Sequence, residues 1–100
     1  MKSGYKIRWT DHAISELKET LNYLESNWTD KELREFSAKL EHTIELISKS
    51  PEIFPEFLDK KGVRKAVVET HNNLYYRVIV DSIEIVSLFS NRKNPANKKL

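Results

Sequence analysis

The chain has 100 residues, no cysteine and a formal net charge of +2. This length fits one domain, because two independent cores would each be too small to be stable. The lack of cysteine excludes disulfides, thiolate zinc sites and a cysteine nucleophile. No stretch approaches the roughly 20 apolar residues of a membrane span, and the polar start of the chain has no apolar signal segment. The sequence therefore predicts a cytoplasmic protein.

The net charge hides an asymmetry along the chain. Residues 1–59 carry eight Lys or Arg against twelve Asp or Glu, a net charge of −4. Residues 60–100 carry nine against three, a net charge of +6. A basic C-terminal part suits an anionic partner, either nucleic acid or an acidic protein segment.

A strand and a helix are predicted at the start of the chain. Residues 5–9 alternate apolar and polar side chains, which is typical of a half-buried strand. A helix is predicted over residues 11–27, with Thr10 as its N-cap. Its apolar stripe consists of Ala13, Leu17, Leu21, Leu24 and Trp28.

A second helix is predicted over residues 29–49. Thr29 and Glu32 have the spacing of a capping box, and Pro51 ends the helix. Its apolar stripe consists of Leu33, Phe36, Leu40, Ile44 and Ile47. The short join between the helices predicts an antiparallel helical hairpin.

A loop and three strands are predicted in the second half. Residues 50–62 form the loop, and four of its apolar side chains are expected to hold it on the core: Ile53, Phe54, Phe57 and Leu58. The strands are predicted at residues 63–69, 74–80 and 83–89, with turns at 71–73 and 81–82. Short connections favour an antiparallel meander, and residues 90–100 are predicted to form a basic, partly ordered tail.

These elements predict one α+β domain over residues 1–100. Its order is β-α-α-β-β-β, with a mainly antiparallel sheet. The N-terminal helical hairpin is expected to pack on one face of that sheet, because both helices must bury their apolar stripes.

Basic and aromatic side chains occur among the apolar residues of the predicted sheet. Tyr75 and Tyr76 are neighbours, so their side chains point to opposite faces. Tyr76 shares the more apolar face with Leu74, whereas Tyr75 and Arg77 share the more exposed face. Basic and aromatic residues on an open sheet face can bind RNA or single strands by charge and stacking. The alternative is that polar residues simply line the solvent side of a one-sided sheet.

Other candidate residues lie in or near the same strands. Arg64 and Lys65 add positive charge, and His71, in a predicted turn, could act as an acid or base near neutral pH. Arg92 and Lys93 follow the last strand, where they could contact phosphate or simply form a solvated charged run. The other histidines do not have the spacing of metal ligands, and no metal or cofactor is predicted.

Five short segments form a series over nearly the whole chain. They are Trp-Thr-Asp-His-Ala at 9–13, Ser-Pro and Phe-Pro at 50–55, Val-Arg-Lys at 63–65, Leu-Tyr-Tyr-Arg-Val at 74–78 and Phe-Ser-Asn-Arg-Lys-Asn-Pro at 89–95. Together with the length and the β-α-α-β-β-β order, this series resembles the RelE/ParE superfamily of toxins from bacterial type II toxin–antitoxin pairs.

The resemblance implies one of two targets. RelE-like members enter the ribosomal A site and cleave mRNA, using basic residues together with a Tyr, His or Glu. ParE-like members lack much of that set and inhibit DNA gyrase. Both kinds are neutralised by an antitoxin that wraps the toxin as an extended, partly helical segment.

The RNA-cleaving set is only partly present. Arg92 matches an arginine that those members use at the phosphate, and Arg64 or Lys65 matches a basic residue on the strand after the helical hairpin. Asn73 stands where they have an arginine, and residues 96–100 contain no Tyr or His in place of their tail aromatic. The sequence is therefore more similar to the ParE branch.

The resulting prediction is a growth-inhibiting toxin with a gyrase-type target, a cognate antitoxin, no membrane association and no small-molecule cofactor. The residues predicted to bind nucleic acid or a partner are Arg64, Lys65, Arg77, Arg92 and Lys93. One alternative is a ribosome-dependent, metal-independent mRNA endoribonuclease. Its catalytic residues would be Arg64, Lys65, His71, Tyr75, Arg77 and Arg92. A second alternative is a non-toxic RNA- or protein-binding module.

Overall fold

The helices and strands follow one another in the predicted order. The computed structural model describes residues 4–27, 29–58, 60–69 and 72–90. Its elements are β1 (Lys6–Trp9), α1 (Asp11–Asn27), α2 (Asp30–Lys49), β2 (Arg64–Glu69), β3 (Asn72–Ile79) and β4 (Ser82–Ser90). The predicted α+β class is confirmed. Of the predicted tail, Ser90 ends β4, and residues 91–100 lie outside the described residues.

The strands form one sheet in the spatial order β1-β4-β3-β2. β2 pairs with β3 and β3 with β4 in antiparallel fashion, as the meander prediction requires. β1 pairs with β4 in parallel, with Lys6 opposite Ser82 and Trp9 opposite Ile85. A parallel pair needs a long connection, and the two helices belong to the connection between β1 and the meander.

Both helices begin at the predicted caps. The Thr10 hydroxyl accepts a hydrogen bond from the Ala13 amide at 3.1 Å. In α2, the Glu32 amide donates to the Thr29 hydroxyl at 3.2 Å, and the Thr29 amide donates to the Glu32 carboxylate at 3.0 Å. These bonds satisfy amides that have no partner inside the helix. Neither helix is long and apolar enough to cross a membrane.

The hydrophobic core lies between the helices and one face of the sheet. The helices contribute Ala13, Leu24, Phe36, Leu40 and Ile47, and the strands contribute Ala66, Val68, Leu74, Tyr76, Ile83, Ile85 and Leu88. The predicted stripes therefore face the core, and one member, Trp28, lies outside the described residues. This arrangement confirms that the helical hairpin packs on one face of the sheet.

The predicted turn at residues 71–73 is wrong at two positions. Asn72 and Asn73 belong to β3 and are buried, while His71 lies outside the described residues. The Asn72 side-chain amide donates to the Glu69 carboxylate at 2.9 Å, between residues that pair at the ends of β2 and β3. This side-chain bond offsets part of the cost of burying the amide of Asn72, a residue type that usually favours turns.

The turn between β3 and β4 lies one residue earlier than predicted. Ile79 pairs with Ser82, so Val80 and Asp81 form the two-residue loop. Val80 has a φ of +56° and is 90% exposed. A β-branched side chain is strained in this left-handed region, where Gly or Asn is usual. The strand propensity of valine favours the opposite placement, inside β3.

Candidate functional site

The sheet directs the predicted basic residues to opposite faces. Arg64 pairs with Tyr76, and Lys65 pairs with Tyr75. Directly opposed residues of neighbouring strands share a face of the sheet. Because Tyr76 belongs to the helix-covered core and Tyr75 does not, Arg64 lies on the core side and Lys65 on the other.

On the helix-covered face, Arg64 and Tyr76 hold the loop that precedes β2. An Arg64 guanidinium N–H donates to the Phe54 carbonyl at 2.7 Å, and the Tyr76 hydroxyl donates to the Pro51 carbonyl at 2.6 Å. Burial raises the pKa of Tyr76, while the Arg64 charge and a backbone hydrogen bond from Phe54 act in the opposite direction. The hydrogen bond from Arg64 to the Phe54 carbonyl ties the loop to the sheet.

A cavity of about 730 Å³ opens beside these bonds. Its lining includes Tyr5, Lys49, Ile53, Glu56, Arg64 and Val78. Cations and carboxylates occur together in this lining, so its charge does not select an anionic ligand.

On the other face, the loop covers Tyr75. The rings of Phe57 and Tyr75 have centroids 4.8 Å apart at an interplanar angle of 58°, and Tyr75 is fully buried. The expectation that Tyr75 lies on an exposed face is wrong. A backbone pairing along the edge of β2 places Phe57 over Tyr75. In this pairing, the Phe57 amide donates to the Val63 carbonyl and the Lys65 amide donates to the Pro55 carbonyl.

The four apolar side chains of the loop have different surroundings. Phe54 packs against the core and Phe57 against Tyr75, so these two hold the loop as predicted. Ile53 and Leu58 are exposed by 53% and 96%, and their predicted role is wrong. The loop thus contacts both faces of the sheet around the edge of β2.

Arg77 is half-exposed, as predicted, and it has a cross-strand partner. Its Nε lies 2.7 Å from a carboxylate oxygen of Glu84, and the two residues are opposite each other in β3 and β4. Glu84 offsets the charge of Arg77 on this face. No simple sequence motif pairs them, because the register depends on an irregularity between Tyr75 and Tyr76.

Glu16 is an organising residue that the sequence reasoning missed. One carboxylate oxygen accepts from the Ser87 hydroxyl at 2.7 Å and the Leu88 amide at 2.9 Å, and lies 3.3 Å from His12 Nε2. β1 pairs with β4 only as far as Ile85, so Glu16 bonds to the β4 edge beyond it. Its position three residues after Ala13, on the flank of the apolar stripe, was the available signal.

Three predicted site residues, His71, Arg92 and Lys93, lie outside the described residues. The described part brings Lys65, Tyr75 and Arg77 to one face of the sheet and Arg64 to the other. Within that part, no three His, Asp or Glu side chains cluster in a way that could hold a metal ion.

Known proteins with the same fold include several toxins. The chain resembles a protein of the chromosomal ParDE toxin–antitoxin system from P. aeruginosa, with a TM-score of 0.71, 14% identity, and coverage of 86% of this chain and 95% of that chain. For a chain of the E. coli DinJ–YafQ toxin–antitoxin complex, the TM-score is 0.63 at 14% identity, with 91% and 97% covered. For the YoeB dimer from Staphylococcus aureus, the TM-score is 0.61 at 19% identity, with 87% and 97% covered.

The sequence matches a family and no individual curated protein. The family model for the ParE toxin of the type II toxin–antitoxin system parDE matches residues 7–95, which is most of the chain. This match agrees with the toxin fold of the solved structures. The chain therefore belongs to the ParE toxin family of type II toxin–antitoxin systems.

Proposed function

We propose that this toxin inhibits DNA gyrase by binding to it, without cleaving RNA, and that a cognate antitoxin neutralises it. Membership of the ParE family supports this class of target, because the ParE-like members of the superfamily it resembles act on gyrase. Its site of action would be the cytoplasm, where bacterial gyrase and chromosomal DNA meet.

One observation carries the proposal: the described residues that RNA cleavage would need do not reach one open surface together. A general acid or base must come within hydrogen-bond reach of the proton it transfers. Tyr75 is buried under Phe57, and Arg64 lies on the face opposite Lys65 and Arg77, bonded to the Phe54 carbonyl. Among the described residues, this arrangement supports binding over catalysis.

The type of system supports a protein partner. The family consists of toxins from type II toxin–antitoxin systems, in which each toxin has an antitoxin as its partner. The basic C-terminal part of the chain, with a net charge of +6 over residues 60–100, fits an acidic partner segment.

The test compares two activities of the purified chain. Added to gyrase, relaxed plasmid and ATP, it is expected to reduce supercoiling on an agarose gel. Added to translating ribosomes, it is expected to leave the mRNA uncut by primer extension. Cleavage of ribosome-bound mRNA with normal supercoiling would overturn the proposal in favour of the endoribonuclease.

Two variants and one growth measurement complete the design. Arg92→Ala would abolish cleavage if the chain were a nuclease, and Lys39→Ala, on the exposed side of α2, controls for the loss of one positive charge. Induced expression of the chain is expected to stop growth. A chain that affects neither growth, nor supercoiling, nor mRNA would instead be a non-toxic binding module.

A further inference from the structure

The cavity beside Arg64 lies on the helix-covered face of the sheet, at one end of the helical cover. Val78 lines this cavity and is opposite Ile83, a core residue, so its side chain belongs to the helix-covered face. Lys49, the last residue of α2, lines the same cavity. The cavity is therefore bounded by β2, β3, the end of α2 and the loop that follows α2.

Hydrogen bonds order the walls of this cavity. The bonds that Arg64 and Tyr76 donate to loop carbonyls fix the loop. The Tyr5 amide donates to the Ser48 carbonyl at 2.9 Å, and the Ser48 hydroxyl donates to the Tyr5 carbonyl at 3.0 Å, which fixes Tyr5 against the end of α2. A cavity with ordered walls binds a ligand at a smaller entropic cost. Its volume of about 730 Å³ is typical of sites for small molecules.

Opposite charges line the cavity without pairing with each other. A guanidinium has five N–H groups, and the half-buried Arg64 uses one of them in its bond to the Phe54 carbonyl. Among the described residues, no carboxylate lies within ion-pair distance of Arg64, and the Glu52 carboxylate has no ion pair or hydrogen bond. Lys49, by contrast, pairs with Glu45 at 3.2 Å. Arg64 and Glu52 thus remain available to a bound molecule.

Apolar surface lies beside these two charges. Tyr5, Ile53 and Val78 line the cavity, and all three are exposed. A ligand that filled the cavity would remove part of this surface from water, and the burial of apolar area favours binding. The lining therefore offers a cation, a carboxylate and an apolar wall to the same ligand.

From this lining we infer that the cavity binds a small zwitterion with an apolar side chain, that is, an apolar amino acid in free form or in a dipeptide. The ligand carboxylate would pair with the planar fork of N–H groups on Arg64. The ligand ammonium would pair with Glu52. The apolar side chain would lie against Tyr5, Ile53 and Val78, as in other sites where a few polar groups orient a largely apolar ligand.

The mixed charge of the lining disfavours other small ligands. A phosphate or nucleotide would be attracted by Arg64 and Lys49, but it would also meet the carboxylates of Glu52 and Glu56, which repel it. A polyamine would pair with the carboxylates and be repelled by the two cations. A zwitterion carries one charge of each sign and meets both kinds of residue favourably.

The test titrates the purified chain with L-phenylalanine and with the dipeptide alanylphenylalanine in a calorimeter. At least one is expected to bind saturably, and the tighter of the two identifies the source of the zwitterion. Acetylation of its amine, or amidation of its carboxylate, is expected to weaken binding about tenfold, because each change leaves one charge of the cavity unpaired. No saturation by either zwitterion up to about 10 mM, or equal binding of a modified ligand, would overturn the inference.

A conservative change at Glu52 locates the ammonium. Glu52→Gln keeps the size of the side chain and removes its charge, and it is expected to weaken binding of the zwitterion about tenfold. Binding of the acetylated ligand, which has no ammonium, is expected to stay the same. The matched change Glu41→Gln, at an exposed position of α2, is expected to alter neither. Equal effects of the two changes would overturn the proposed contact.

Two further variants examine the rest of the lining. Arg64→Lys keeps the charge but loses the fork, and is expected to weaken binding of the zwitterion about tenfold while leaving the amidated ligand unaffected. Because Arg64 also holds the loop, Tyr5→Ala serves as a second variant that leaves that bond in place, and it is expected to weaken binding about threefold. Unchanged binding in either folded variant would overturn the proposed contacts.

Competition separates the zwitterion from other occupants. Inorganic phosphate and spermidine are each expected to bind more weakly than the tighter zwitterion. Tighter binding of phosphate or of spermidine would assign the cavity to an anion or to a polycation instead. None of these measurements involves gyrase, so a failure to inhibit supercoiling would leave their result intact.

Discussion

Tyr75 and Tyr76 are neighbours in β3, and both are fully buried, but different parts of the chain bury them. Tyr76 lies in the core against the helices, and its hydroxyl bonds to the Pro51 carbonyl. Tyr75 lies on the opposite face and contacts Phe57 of the same loop. This loop therefore acts on both faces of the sheet, as a clasp around the edge of β2.

The largest expected effect is the loss of either tyrosine ring. Tyr76→Ala and Tyr75→Ala are each expected to lower the free energy of unfolding by about 3–5 kcal/mol, the usual cost of removing a buried aromatic. Urea unfolding, monitored by circular dichroism, measures this change in the free energy of unfolding. Tyr5→Ala, at a part-exposed position, is the matched control and is expected to cost less than about 1 kcal/mol. A cost for Tyr75→Ala as small as that of Tyr5→Ala would mean that the loop does not cover this face.

The two faces also differ in how far the sequence predicts them. The helix-covered face was predictable, because an apolar residue every three or four positions marks the side of a helix that must be buried. The cover of Tyr75 was not, because it depends on a backbone pairing between residues 55–57 and β2 that leaves no periodic pattern. Alternation in β3 separated the two tyrosines correctly, but it cannot reveal a ring supplied by a distant loop.

The candidate site was likewise predictable from the sequence only in part. The basic residues were recognised from composition, but their distribution depends on register. Arg64 and Lys65 are adjacent in sequence and lie on opposite faces, and Arg77 meets Glu84 across an irregular pair of strands. Glu16 was not singled out from the sequence, although it bonds to Ser87 and Leu88 more than seventy residues away. Such long-range bonds follow from the assembled fold only.

A smaller effect is expected from removing only the hydroxyl of the core tyrosine. Tyr76→Phe loses the bond to the Pro51 carbonyl and is expected to lower the free energy of unfolding by about 0.5–1.5 kcal/mol. Tyr5→Phe, at a part-exposed tyrosine, is the control for a hydroxyl on the surface and is expected to change it little. Equal effects of the two changes would contradict the role of the Pro51 bond.

Alkaline pH sharpens this test, because burial raises the pKa of Tyr76 above the ordinary value of 10.0. A pKa raised in the folded state gives stability that is complete below the unfolded pKa and is lost as the pH rises through the folded pKa. The wild type is therefore expected to lose stability above pH 10.0 more steeply than Tyr76→Phe. Urea unfolding of both chains below and above that pH measures the difference, and parallel pH profiles would contradict the burial of this hydroxyl.

The smallest effect is expected at Arg77, on the same face as Tyr75 but paired with Glu84 and half-exposed. A double-mutant cycle with Arg77→Ala and Glu84→Ala is expected to give a coupling of about 0.2–1 kcal/mol, because water and salt weaken an exposed ion pair. The coupling should fall further as salt is raised. A coupling this small means that an anionic partner could take Arg77 from Glu84 at little cost, so the ion pair does not remove Arg77 from the candidate residues. A coupling above about 2 kcal/mol is more than exposed pairs usually give. It would make the pair a structural element and would exclude Arg77 from the residues that could bind an anionic partner.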